Sequence, residues 1–145
     1  MMNYQVVYFS RSGNSKRVAE KIASHLGSSA IRIDDHKWWR GPIGYIRAGF
    51  YATIDKKVNI TLSEPLKDGY LCVVVSPLWA GDTAPAVRAF FKMFPKEKSH
   101  LVVTSIGSAV SNRASYLSVT DVIKRQENEE QIIEQLIQKL NSVES

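Results

Sequence analysis

Residues 4–15 read Tyr4-Gln5-Val6-Val7-Tyr8-Phe9-Ser10-Arg11-Ser12-Gly13-Asn14-Ser15, an apolar run that breaks into a small, hydroxyl-rich turn. The run is strand-sized and apolar almost throughout, the pattern of a strand buried on both faces of a parallel sheet. Directly after the turn, Val18, Ile22 and Leu26 recur at helical spacing, and Gly27 follows as a helix stop. Strand, tight turn and helix in immediate succession predict the opening of an α/β fold.

Working outward, two more runs are apolar nearly throughout, residues 70–75 and 101–106. Two weaker runs alternate, Ala30-Ile31-Arg32-Ile33 and Tyr116-Leu117-Ser118-Val119-Thr120, as half-exposed strands at sheet edges do. Helical patterns fill the gaps. Ile43, Ile46 and Phe50 suggest one helix; Val87, Phe90, Phe91 and Phe94 suggest another, opened by Pro85 and ended by Pro95. The last carries Ile132, Ile133, Leu136, Ile137 and Leu140, with Asn128 and Gln131 spaced as a capping pair. With first, third and fourth strands buried and second and fifth edge-like, the strand order 2-1-3-4-5 satisfies every pattern. The expectation is a single doubly wound α/β domain over residues 1–145, with a five-stranded parallel sheet and its ligand crevice at the switch point between strands one and three.

Size and composition agree. A chain of 145 residues, 44% hydrophobic and 23% charged, has room for one core. No apolar run nears the ~20 residues of a membrane span, and no basic, cleavable leader precedes the first strand. Cys72 is the only cysteine and sits inside an apolar run, so a buried structural thiol and a reducing, cytoplasmic location are expected. The net charge of +5 is uneven: residues 1–60 hold ten Lys/Arg against four Asp/Glu, and residues 61–145 nine against ten. A basic half can attract nucleic acid, a membrane surface or an acidic protein partner, or be solvated surface. Nucleic acid is not expected as a partner.

Two turns flank the expected crevice. In the first, Ser10, Ser12 and Ser15 offer hydroxyls, Gly13 lets the backbone turn tightly, and the helix start adds N–H groups and a partial positive charge. One cap residue would serve an ordinary turn; three hydroxyls exceed that need and suit a phosphate. Lys16 and Arg17 oppose the macrodipole, which a bound dianion would offset; two screened surface charges serve equally well. The second turn, Pro77-Leu78-Trp79-Ala80-Gly81-Asp82, sets a Trp among small residues as a flat apolar wall, with Gly81 permitting close backbone approach. Ser105-Ile106-Gly107-Ser108 is a third small, polar turn. No G-x-x-x-x-G-K-[ST] or G-x-G-x-x-G is present, and the strand ends lack the carboxylates of a phospho-acceptor site. No Ser/His/Asp, paired-carboxylate or metal-ligand constellation stands out, so a hydrolase is not expected.

These residues resemble the flavodoxin family, specifically its short bacterial members. Residues 10–15 are similar to the family's phosphate loop; residues 41–50, Pro77-Leu78-Trp79-Ala80-Gly81 and residues 84–90 extend the likeness over nearly the whole chain. The resemblance implies FMN, with phosphate on Ser10, Arg11, Ser12, Gly13, Asn14 and Ser15. It implies an isoalloxazine ring near Pro77, Leu78, Trp79, Ala80, Gly81 and Asp82 and near Ser105, Ile106, Gly107 and Ser108. The function it implies is that of an FMN electron carrier. An FMN-dependent NAD(P)H reductase of quinones or nitro-aromatics and a non-redox binding module are the alternatives. Two features depart from the family. Electron-carrier flavodoxins are strongly acidic, whereas this sequence has a pI near 9.4. Only a short polar stretch, residues 107–115, stands where members carry a helix between the fourth and fifth strands. Trp38 and Trp39 suit a flavin cover, a partner contact, a membrane interface beside Arg40 and Arg47, or plain packing; His36 reads as a surface residue.

Overall fold

Strand β1 (Tyr4–Tyr8) is buried at every position, as the apolar run requires. The computed structural model describes residues 3–35, 60–79, 81–111 and 113–143. After β1 the chain forms α1 (Asn14–Leu26), β2 (Ala30–Asp34), β3 (Thr61–Leu62), β4 (Leu71–Trp79), β5 (Asp82–Thr83), α2 (Pro85–Phe90), β6 (Ser99–Ser105), β7 (Ser118–Ile123) and α3 (Glu129–Val143). The expected helix around Ile43, Ile46 and Phe50 lies outside the described residues, as do His36, Trp38, Trp39, Arg40 and Arg47.

The sheet runs β3-β2-β1-β4-β6-β7, with β5 folded back on β4. Its five longer strands, β2-β1-β4-β6-β7, are parallel throughout and reproduce the expected 2-1-3-4-5 order. Two short antiparallel strands are additions to that plan: β3 covers the outer edge of β2, so β2 is not the sheet edge, and β5 forms a hairpin with β4.

Alternation sets the two cores. Val6, Val73, Val75 and Val102 face α1 and α3, meeting Val18, Ile22, Ile133 and Leu140. Val7, Val74, Leu101 and Val103 face the other way, onto Val87 and Phe90 of α2. Both faces of each central strand are therefore dry, which is why these runs lack a polar alternation. Cys72 is buried in the second core and its thiol is pushed up to about 12 by burial, so no thiolate forms near neutral pH.

Several boundaries move from the sequence expectation. The third parallel strand continues past Val75 to Trp79, pairing Ser76 with Val103 and Pro77 with Thr104. Pro77 is tolerated because β1 pairs only through Tyr8 and Val75; beyond that point β4 is locally an edge and a missing N–H costs little. β6 begins two residues earlier than expected, because Ser99 and His100 are polar yet buried; His100 Nδ1 meets Ser118 Oγ at 2.8 Å. The fifth parallel strand is residues 118–123 rather than 116–120. α2 stops at Phe90, and residues 91–94 tighten into turns with Met93 N–H on the Phe90 carbonyl at 3.0 Å. Asn128 precedes α3, but only its backbone carbonyl caps, accepting from Ile132 N–H at 3.0 Å; its side-chain oxygen has no partner.

The connection from β6 to β7 is residues 106–117, close to the dozen or so that a parallel crossover needs. Its described residues form no helix. Instead the loop is clasped to the sheet: Arg113 Nη1 lies 2.6 Å from Asp121 Oδ2, Val110 N–H donates to Asp121 Oδ1 at 3.1 Å, and Val110 is buried in the second core.

Candidate functional site

From β1 the chain crosses to one face of the sheet with α1, and from β4 to the other face with α2. Adjacent strands whose connections part in this way leave a crevice at their carboxyl ends. Here the crevice is a cavity of about 550 Å³, within the ~300–1,000 Å³ of ordinary ligand sites.

Arg11, Ser12 and Asn14 form one end. Gly13 holds φ 92°, a left-handed conformation that strains any residue with a side chain, and a Cβ there would meet nothing within 4 Å. The glycine is needed for the turn rather than for space. The three serines of this loop divide their work. Ser10 Oγ accepts the Gly13 N–H at 3.0 Å and holds the loop. Ser15 is buried, its Oγ 2.8 Å from Thr104 Oγ1. Only Ser12 lines the cavity with its hydroxyl-bearing side chain. The first backbone bond closing α1 runs from Arg17 N–H to the Gly13 carbonyl at 3.0 Å, so the N–H groups ahead of it have no acceptor within the helix.

Pro77, Leu78 and Trp79 form the middle wall, at the end of a strand rather than in a loop. Trp79 is fixed edge-on against Phe9, ring centroids 6.2 Å apart, and the Arg11 guanidinium lies 6.0 Å from its ring centre. Gly81, at φ 80°, turns the β4–β5 hairpin, and its carbonyl accepts from Ser111 N–H at 2.9 Å and Ser111 Oγ at 2.8 Å. Asp82 Oδ1 accepts the Thr83 N–H at 2.7 Å. Gly81 and Asp82 thus support the hairpin and stand off the cavity wall; Ala80 lies outside the described residues.

The far end is Thr104, Ser105, Ile106, Gly107 and Ser108. Ser105 Oγ bonds the Ser108 carbonyl and accepts the Ser108 N–H, closing the turn. Ile106 is 67% exposed at the rim. Arg125 N–H donates to the Ile106 carbonyl at 3.0 Å, joining this turn to the end of β7. Among the described residues, Arg11 is the one charged residue lining the cavity, and no carboxylate lines it. Thr104 closes an apolar strand with a polar residue, a signal legible in the sequence; Arg125 had none, since only the β6–β7 pairing brings it here. Among the described residues no group of three or more His, Cys, Asp or Glu side chains is placed to hold a metal ion, and no helix is long and apolar enough to cross a membrane.

No family model matches the chain, and no curated protein matches it by sequence. Solved structures do. A flavoprotein from Lactobacillus acidophilus, crystallised in complex with FMN, superposes with a TM-score of 0.67 at 20% identity, covering 90% of this chain and 98% of its own. The apo form of the flavoprotein from that organism gives 0.56 at 16% identity over 89% and 97%. A candidate flavoprotein from Bacteroides eggerthii gives 0.68 at 16% identity over 87% and 93%. At these identities the likeness establishes architecture: the chain has a flavodoxin-like α/β fold.

Proposed function

We propose that this chain is an FMN-binding redox protein that acts as a flavodoxin-like electron carrier. The observation that carries the reading is the single cavity running from the start of α1, past Trp79, to the turn at residues 105–108. Its two ends differ as the two ends of FMN do. At the first, the Ser12 hydroxyl, the Asn14 side chain and the helix N–H groups suit a phosphate. At the other, Trp79, Leu78 and Pro77 make an apolar wall, and a glycine-containing turn presents backbone groups to a heterocycle's edge.

When bound, FMN supplies the transfer of one or two electrons. The chain's own residues bind and orient it. Ser10 and Gly13 fix the phosphate turn, Ser15 and Thr104 lock that turn to the sheet, and Phe9 holds Trp79 upright. The Ser105–Ser108 bonds pre-form the far turn, so little ordering is left for binding to accomplish. Exposure of Ile106 at the rim leaves that end open to a partner.

Fluorescence titration of the cofactor-free protein with FMN and riboflavin tests the reading. Saturable quenching with FMN, and binding of riboflavin at least tenfold weaker, is the expected result. Equal affinity for the two would remove the phosphate assignment, and no binding of either would remove the cofactor.

A further inference from the structure

Resting on the FMN reading, we propose that Arg125, behind the turn at the ring end of the cavity, raises the two-electron potential of the bound flavin by stabilising its anionic, two-electron-reduced form. A ligand whose phosphate lies at the start of α1, beyond β1, reaches across β4 to the end of β6. Gly107 lines that far end. Arg125 lies across that glycine: a Cβ at Gly107 would stand 3.2 Å from Arg125 Cδ and 3.4 Å from its Nη1. The Arg125 N–H bond to the Ile106 carbonyl fixes the same turn from the backbone side. Arg17, Lys21, Arg32 and Arg113 form ion pairs, and among the described residues no carboxylate pairs with Arg125. Nor, among the described residues, does any carboxylate line the cavity to oppose it.

The charge matters because reduction changes the charge of the ring. Taking up two electrons and one proton leaves the isoalloxazine with one net negative charge. A nearby guanidinium lowers the free energy of that state and not of the neutral oxidised one, so the two-electron potential rises. Because Arg125 is exposed, its influence is screened by salt.

The test is a dithionite titration of the FMN-loaded protein against a reference dye, with the two electrons supplied by dithionite. R125Q should lower the ratio of reduced to oxidised flavin about tenfold at a fixed potential, equal to about 30 mV for a two-electron couple. R125K, which keeps the charge, should stay near wild type, and high salt should narrow the gap between wild type and R125Q. K98Q controls for net charge: Lys98 precedes the seven-residue β6, roughly 20 Å from Ser105, and its removal should leave the potential unchanged. An R125Q potential equal to wild type in a protein that binds FMN, or a K98Q shift as large as that of R125Q, overturns this inference alone. A wild-type protein that binds no FMN overturns the cofactor reading and this inference with it.

Discussion

Ser15 Oγ lies 2.8 Å from Thr104 Oγ1 in a buried contact that fastens the start of α1 to the end of β6. Both hydroxyls are out of water, with Ser15 1% and Thr104 2% exposed. The bond spans β4, because β1 and β6 are not neighbours in the sheet. It thereby sets the distance between the two ends of the cavity.

Removing one hydroxyl strands the other in a dry site. Thr104→Val should destabilise the fold by about 1–3 kcal/mol, whereas the double change Ser15→Ala with Thr104→Val should cost less than the two single changes added together. Urea unfolding of the four proteins measures the coupling. Additive costs would mean that the hydroxyls do not interact in solution.

Gly13 should prove sensitive through its backbone rather than its surroundings. Gly13→Ala places a Cβ in open space but on a residue at φ 92°, a strain of about 1–2 kcal/mol. Asn tolerates the left-handed region better, so Gly13→Asn should lie between glycine and alanine. FMN affinity and unfolding midpoint should fall together along Gly, Asn, Ala and Val. A steep loss only at Val would point to crowding instead.

Trp79 stands edge-on to Phe9 and is held in place before any ligand arrives. If the flavin ring lies against it, Trp79→Ala should restore flavin emission in the bound state. It should also weaken binding by about 1 kcal/mol, roughly fivefold. Recovery of emission on changing Trp38 or Trp39 alone would move the wall to those residues.

Much of this architecture was legible because burial on both faces leaves a plain mark. Val73, Val74 and Val75 are apolar in sequence since successive residues fill opposite cores. Where a strand's partner is itself irregular, the mark fades. Pro77 and Trp79 look like loop punctuation; pairing with Thr104 of β6 makes Pro77 strand, and the hairpin with Asp82 makes Trp79 strand. Asp121 interrupts β7 with a charge that makes sense only once Arg113 is seen to reach it from six residues before Val119. Tyr116 attracts the strand assignment by its apolar neighbours, yet it packs on Phe91 outside the ladder, ring centroids 5.4 Å apart. At the site, the sequence marks which turns surround the crevice but not which serine faces it. Ser10, Ser12 and Ser15 are chemically alike, and their roles follow from loop geometry.

Acid should loosen the clasp between α1 and α3. Arg17 and Lys21 approach Glu129 at 2.6 and 2.7 Å and hold its carboxyl down at about 2, against an ordinary 4.5. A depressed carboxylate contributes stability that is present above about 4.5 and is lost as pH falls through about 2. Since Arg17 and Lys21 are well solvated, the contribution is about 1 kcal/mol. Glu129→Gln should destabilise by that amount at pH 7 and make no difference below pH 2. A gap between the two proteins that persists under strong acid would assign the effect to something other than this charge.

Carrier and reductase are separated by what reduces the flavin. A net charge of +5 speeds encounter with an acidic protein and loses that advantage as salt shortens the Debye length below ~8 Å. A carrier should therefore exchange electrons with acidic protein donors at a rate that falls steeply with salt, and should be reduced only slowly by free NADH or NADPH. A reductase should be reduced by one of those dinucleotides alone, saturably and at about 1–1,000 per second. Arg11, which lines the cavity, sits beside Trp79, so Arg11→Gln should reduce the salt dependence if protein donors approach over that end. Stopped-flow mixing of the FMN-loaded protein with NADPH, no protein partner present, decides between them: rapid, saturable bleaching of the flavin would sink the carrier reading and install the reductase.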